Sequence, residues 1–129
     1  MDTIANMLTS IRNAQSVGKE TAVVPYSKIK FDILKIMERE KFIGKPEIKG
    51  RKNKKIIEII MLYNKEGDPA ISHLKRISVP SKRVYVPLKK IYPVQYGKGL
   101  RIISTPKGLL TNKEVKKEKV GGEVICEIW

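Results

Sequence analysis

At 129 residues and 41% apolar, the chain is long enough for one compact domain or two small lobes, and too apolar for general disorder. Its formal charge is +14, with +6 carried up to Asn64 and +8 beyond it, which excludes a neutral domain with a basic tail. The lone cysteine, Cys126, excludes an internal disulfide and fits a reducing compartment, and the longest apolar run, Ile59 to Tyr63, is too short to span a bilayer.

Asp2 can cap a first helix, in which Ile4, Met7, Leu8 and Ile11 keep helical spacing to about Ser16, where Gly18 stops it. No basic segment followed by an apolar one stands near the N-terminus, so no signal peptide is expected. Ala22 to Val24 read as a short strand ended by Pro25. Ser27 can cap a second helix with Ile29, Ile33, Leu34 and Met37 on one stripe, ending near Lys41 to Gly44. Pro46 to Lys49 and Ile56 to Tyr63 form a strand pair around the basic loop Gly50 to Lys55. Asn64 to Pro69 is the best turn signal in the chain and sets the expected lobe boundary, with residues 1–64 before it and 65–129 after it.

The second half is strand-rich. Ile71 to Val79 and Arg83 to Val86 are separated by Pro80-Ser81-Lys82, and alternation places Val84 and Val86 on one face and Arg83 and Tyr85 on the other. Leu88 to Tyr96 is ambiguous, because Pro93 argues against one regular element. Leu100 to Ser104 reads as a strand leading into the loop Ser104 to Gly108. Thr111-Asn112-Lys113-Glu114 is a capping box with Leu110 and Val115 at the staple positions. It predicts a helix to about Lys119, stopped by Gly121-Gly122 and followed by a strand from Glu123 to Trp129.

Enzymatic constellations are sparse. His73 is the only histidine, Cys126 lies in an apolar strand, and no clustered acids, Walker spacing or set of zinc ligands stands out. No catalytic residue, cofactor or metal is therefore expected. Instead, the 45 positions from Pro69 to Lys113 hold ten Lys/Arg and no acid. A surface without carboxylates can lie against a polyanion without repulsion, so nucleic acid is the leading partner. A basic solvated surface and an anionic membrane are the alternatives, the latter disfavoured because no helix joins a basic face to a large apolar one.

Within that stretch Ser104 and Thr105 offer two hydroxyls that can bridge a base edge, a ribose 2′-OH or a phosphate, while Lys107 adds charge and Gly108 allows close approach. An ordinary turn of the same composition is the competing reading. Arg83 and Tyr85 could pair with or stack on an exposed nucleotide. Lys28 and Lys30 at the second helix, and Lys55 in the basic loop, join the RNA-binding set as diffuse charge more than as specific contacts.

These residues resemble bacterial small-subunit ribosomal protein eight, the universal small-subunit protein eight family. The opening Asp2 to Ala14 and the segment Val24 to Lys30 are similar to the family's first helix and the approach to its second. The most specific match is Ile103-Ser104-Thr105-Pro106-Lys107-Gly108-Leu109-Leu110-Thr111, followed by Val120-Gly121-Gly122-Glu123-Val124-Ile125-Cys126. The resemblance implies an α+β fold in two lobes, two helices on a small sheet and then an antiparallel sheet with a short helix. It implies a cytoplasmic, non-enzymatic, primary binder of 16S ribosomal RNA, docking on the central domain and monomeric when free. Small-subunit proteins five and twelve are the implied neighbours, and the protein's own operon mRNA is a further implied ligand. The implied RNA-binding residues are Ser104, Thr105, Lys107, Gly108, Tyr85 and Glu123. Two departures stand out: Pro106 where many members have serine, and Thr3 where proline is common. Pro106 removes a hydroxyl and an N–H and can stiffen the loop.

Overall fold

The computed structural model describes residues 2–91 and 99–129. It is an α+β structure with two antiparallel sheets, and it divides into two compact units: Thr3–Ile71, and Ser72–Trp129 together with Asp2.

In the first unit, α1 (Thr3–Ser16) buries Ile4, Met7, Leu8, Ile11 and Ala14, the stripe its spacing predicts. It ends in a Schellman arrangement. Lys19 N–H donates to Ala14 O at 2.9 Å and Gly18 N–H to Gln15 O at 3.2 Å, while Gly18 takes φ +71. In β1 (Thr21–Pro25) the alternation points Ala22 and Val24 inward. Ser27 caps α2 (Lys28–Arg39) by accepting from Lys30 N–H at 3.3 Å. Ile33, Leu34 and Met37 of the expected stripe are buried, with Ile36 beside them, but Ile29 is 41% exposed and Lys30, only 4% exposed, takes the first place in it. Ile29 and Lys30 are neighbours, about 100° apart around the helix. Strands β2 (Glu47–Lys49) and β3 (Ile56–Ile60) complete a sheet of order β1-β3-β2. After β3 the chain turns at Asn64 to Pro69, where Tyr63 bridges Pro69 and Ala70 N–H returns to Leu62 O at 2.9 Å, so this unit continues through Ile71.

The second unit is built on its last strand, β8 (Gly122–Ile128). Its elements before that are β4 (Leu74–Arg76), β5 (Tyr85–Val86), a single 3-10 turn at Leu88–Lys90, β6 (Leu100–Thr105), β7 (Gly108–Thr111) and α3 (Asn112–Glu118). The order β4-β8-β6-β7, with β5 also on β8, makes β8 the central strand. Strand β4 is much shorter than the predicted Ile71 to Val79. Val79 and Lys82 close a tight turn over Pro80 and Ser81, and Ser78 leaves the ladder. Ile91, Ile103, Val115 and Val124 form a buried cluster, with Val86, Leu110 and Val120 packed against it. The predicted capping box is present: Glu114 N–H donates to Thr111 Oγ1 at 3.2 Å and Thr111 N–H to Glu114 Oε1 at 3.1 Å. Pro93 and the rest of the ambiguous segment after Ile91 lie outside the described residues.

Candidate nucleic-acid interface

The register of the second sheet brings three expected site residues together. Tyr85 of β5 stands opposite Glu123 of β8, and Glu123 opposite Ser104 of β6. Residues directly opposite in neighbouring strands share a face, so Tyr85, Glu123 and Ser104 make one row across three strands. Tyr85 is 68% exposed, which leaves its ring available as a stacking surface.

Two glycines allow that row to close. A Cβ on Gly122 would collide with Ser104 O, and one on Gly121 would stand 2.6 Å from Val86 O. No side chain fits at either place, so the pair draws β8 onto β6 and onto the end of β5. Along the chain, Gly121-Gly122 is only a helix stop; in space it sets the spacing of the site.

Glu123 is held from behind. The fully buried Ser78 donates from Oγ to Glu123 Oε2 at 2.5 Å and accepts Val84 N–H at 3.1 Å. Arg83 Nη1 donates to the same Oε2 at 3.0 Å. Burial pushes the Glu123 carboxyl up, but the hydrogen bonds from Ser78 and Arg83 and the charges of Arg83 and Arg76 outweigh it, leaving the group below its ordinary value. It is an ionised, acceptor-only group at neutral pH. Ser78 escapes a reading of the sequence, where its only signal is a small polar residue between Ile77 and Val79. Arg83, whose side chain is 47% exposed, points its guanidinium at this carboxylate.

Ser104 to Gly108, expected as a loop after a strand, is closed by strands on both sides. It is the tip of a β6–β7 hairpin, in which Thr105 pairs with Gly108 around Pro106 and Lys107. Proline fixes a negative φ and so excludes the mirror-image turns that short hairpins favour; Gly108, at φ +105, supplies the positive step instead. The Thr105 hydroxyl is used inside the tip, donating to Gly108 O at 2.8 Å and accepting Lys107 N–H at 3.1 Å. Lys107 Nζ reaches Glu118 Oε2 at 3.0 Å. Of the two hydroxyls, that of Ser104 has no such bond among the described residues and is the one open to a ligand.

The stretch without acids in sequence is not without acids in space. Arg76 pairs with Asp2 at 3.1 Å, Arg83 with Glu123 at 3.0 Å, Arg101 with Glu127 at 2.9 Å and Lys107 with Glu118 at 3.0 Å. Every one of those carboxylates comes from outside residues 69–113. The field that faces solvent is carried by Lys75, Lys82, Lys89, Lys90 and Lys113, all exposed. Lys98 lies outside the described residues.

In the first unit, the Lys28 side chain is 84% exposed, with Nζ 3.4 Å from Asp32. Lys55 is exposed, with Nζ 5.7 Å from the Tyr26 ring centroid. Lys30 is buried, and desolvation lowers its pKa, so of the three lysines it offers the least surface to a ligand.

The remaining polar candidates have structural settings. His73 stacks on Trp129 at 3.7 Å between ring centroids, with Nε2 3.7 Å from Glu127 Oε1. Cys126 is fully buried, and burial pushes its thiol up to about 12, which makes it a packing group and not a nucleophile. Among the described residues no cluster of three or more His, Cys, Asp or Glu is placed to hold a metal ion, and no helix is long and apolar enough to cross a membrane.

Comparison with known proteins bears on the whole chain. Residues 2–129 match the family described as Ribosomal protein S8. Small ribosomal subunit protein uS8 of Thermus aquaticus is 48% identical, with 99% of this chain and 98% of that protein covered. The uS8 proteins of Thermodesulfovibrio yellowstonii and Halothermothrix orenii are 45% and 40% identical, each over 99% of this chain and over 98% and 97% of their own lengths. The chain belongs to the ribosomal protein S8 family, whose members are structural constituents of the ribosome and not enzymes.

Proposed function

We propose that the protein is a constituent of the small ribosomal subunit that binds 16S ribosomal RNA directly, on the central domain, and helps to assemble the subunit around it. The Tyr85–Glu123–Ser104 row carries this reading. It sets a stacking ring, a fixed acceptor and a hydroxyl side by side, and that combination suits an unstacked base or a ribose in a distorted minor groove. An undistorted A-form duplex offers little for such a row to read. The exposed lysines neutralise phosphates and bring the protein to the RNA, while the row discriminates. In the assembled subunit its neighbours are small-subunit proteins five and twelve. The same row can take a matching fold in the protein's own operon mRNA and so repress translation.

The test separates the two hydroxyls. Ser104→Ala removes a group open to the ligand and leaves the hairpin tip intact; Thr105→Ala loosens the tip itself. Ser104→Ala is expected to lower affinity for central-domain RNA about tenfold, roughly one hydrogen bond, with little change on random duplex. Equal loss on both RNAs overturns the proposal. It would favour a general polyanion binder, the second reading, which the exposed lysines alone would support.

A further inference from the structure

Glu123 is an unusual group to place on a surface meant for a polyanion. A carboxylate repels phosphate, so a cationic interface tolerates one only where it has a defined task. Its setting shows construction. Ser78 has left the β4 ladder, lies fully buried, and joins two elements through one oxygen: Oγ accepts Val84 N–H and donates to Glu123 Oε2. Arg83, one residue before Val84, donates to the same Oε2. Among the described residues both bonds fall on Oε2, and Oε1 has no donor. The carboxylate is therefore pinned by one oxygen, in the middle of the row between Tyr85 and Ser104.

We infer that Ser78 and Arg83 are positioning residues for Glu123, which presents its second oxygen as a fixed acceptor to a hydroxyl or amino group of the RNA. This rests on the RNA-binding reading of the row. It assigns the group that Glu123 meets to a donor, a ribose 2′-OH or an exocyclic amine, and not to a phosphate. It also reassigns Arg83. With its guanidinium on a carboxylate, Arg83 acts on the RNA through Glu123, and its first contribution is orientation, not phosphate neutralisation.

The charged and titratable groups around Glu123 are Arg83 on the segment leading into β5, Arg76 on β4 and Tyr85 across the strand pair; Ser104, on the opposite side, does not titrate. The two arginines and the Ser78 hydroxyl favour the ionised form against burial. Removing Ser78 leaves burial in place and takes away a donor, so the carboxyl is expected to protonate at a higher pH.

The experiment measures binding of the intact protein to central-domain RNA between about pH 5 and pH 7.5, where a one-unit shift in pKa is a tenfold change in the proton equilibrium. Wild type is expected to change less than about twofold across that range, whereas Ser78→Ala loses about threefold more affinity at the acidic end than at the neutral end. Glu123→Gln is the control for titration elsewhere in protein or RNA; it is weakened by a constant factor at every pH. Should Ser78→Ala not fold, Arg83→Met removes the other donor and is expected to show the same acid-side loss, while Arg83→Lys restores most of the wild-type profile. A Ser78→Ala loss that is uniform with pH means a packing role and overturns the inference. An unchanged affinity in Glu123→Gln also overturns it. If Ser104→Ala still weakens cognate binding in that case, only the role of Glu123 falls; if Ser104→Ala has no effect either, the RNA-binding reading of the row falls with it.

Discussion

The hairpin loop from Gly50 to Lys55 and the strand region from Ser78 to Glu123 are both basic in sequence, and they use that charge in opposite ways. In the first, Arg51, Lys52, Lys54 and Lys55 stand in solvent on a tip of six residues. In the second, Arg83 is drawn onto Glu123, a buried serine holds the same carboxylate, and two glycines bring the strands together beneath it. Solvated charge attracts any polyanion, and its effect is screened within about 10 Å at moderate salt. A pinned polar row discriminates, because a wrong ligand leaves its acceptor unpaired. Net charge therefore says where RNA is attracted, and the strand register says where it can be read.

The largest expected effect comes from breaking the spacing of the row. Gly122→Ala places a Cβ 2.1 Å from the Ser104 carbonyl oxygen, and both atoms are fixed to backbone in a central strand pair. Nothing flexible can yield, so β8 must shift from β6. The expected cost is about 3 kcal/mol of unfolding free energy, readable by urea denaturation, with cognate RNA binding abolished and the affinity for random duplex largely kept in the fraction that folds. A Gly122→Ala protein of native stability would mean that the close approach of β8 to β6 is not needed.

What the sequence discloses follows the range of the interactions involved. The capping box at Thr111 and the buried stripe of α1 are local, set within one or two helical turns, and both are legible. The Ser104–Gly108 hairpin is hidden because its turn is Pro106-Lys107, not a glycine or asparagine pair, so nothing marks Gly108 as the start of a strand. The first position of the α2 stripe is misread because Ile29 fits the apolar pattern and Lys30 does not, yet Lys30 is the buried one. Ser78 is invisible, since its two partners lie 6 and 45 residues away. The stretch without acids misleads for the same reason: separation along the chain says nothing of Asp2, Glu118, Glu123 and Glu127 arriving from elsewhere to meet its arginines and Lys107.

An intermediate effect is expected in acid. The Glu123 carboxyl lies below its ordinary value in the folded chain, so it binds a proton more readily when unfolded. The stability it contributes is fully present above the unfolded carboxylate value and is lost as pH falls through the folded one. Glu123→Gln should lower stability at neutral pH and flatten the acid side of the unfolding profile relative to wild type. A variant whose acid limb is as steep as that of wild type would show that other carboxylates carry the transition.

The smallest effect tests the solvated side of the comparison. Lys28 and Lys55 are exposed, and each phosphate they neutralise releases counterions, so Lys28→Gln with Lys55→Gln is expected to reduce the slope of log affinity against log salt by about one unit per lysine replaced. Because these charges are not specific, the weakening should be the same on cognate and random RNA. Lys30→Gln serves as the contrast on the same helix. Its side chain is buried and desolvation already disfavours its charge, so the salt slope should not move. If Lys30→Gln lowers the slope as far as the exposed lysines do, the side chain is reaching solvent when RNA is bound, and α2 presents the face that the apolar pattern indicates. If only Lys28 and Lys55 move the slope, and only Ser104, Glu123 and Ser78 move the ratio of cognate to random affinity, then approach and recognition are carried by different residues.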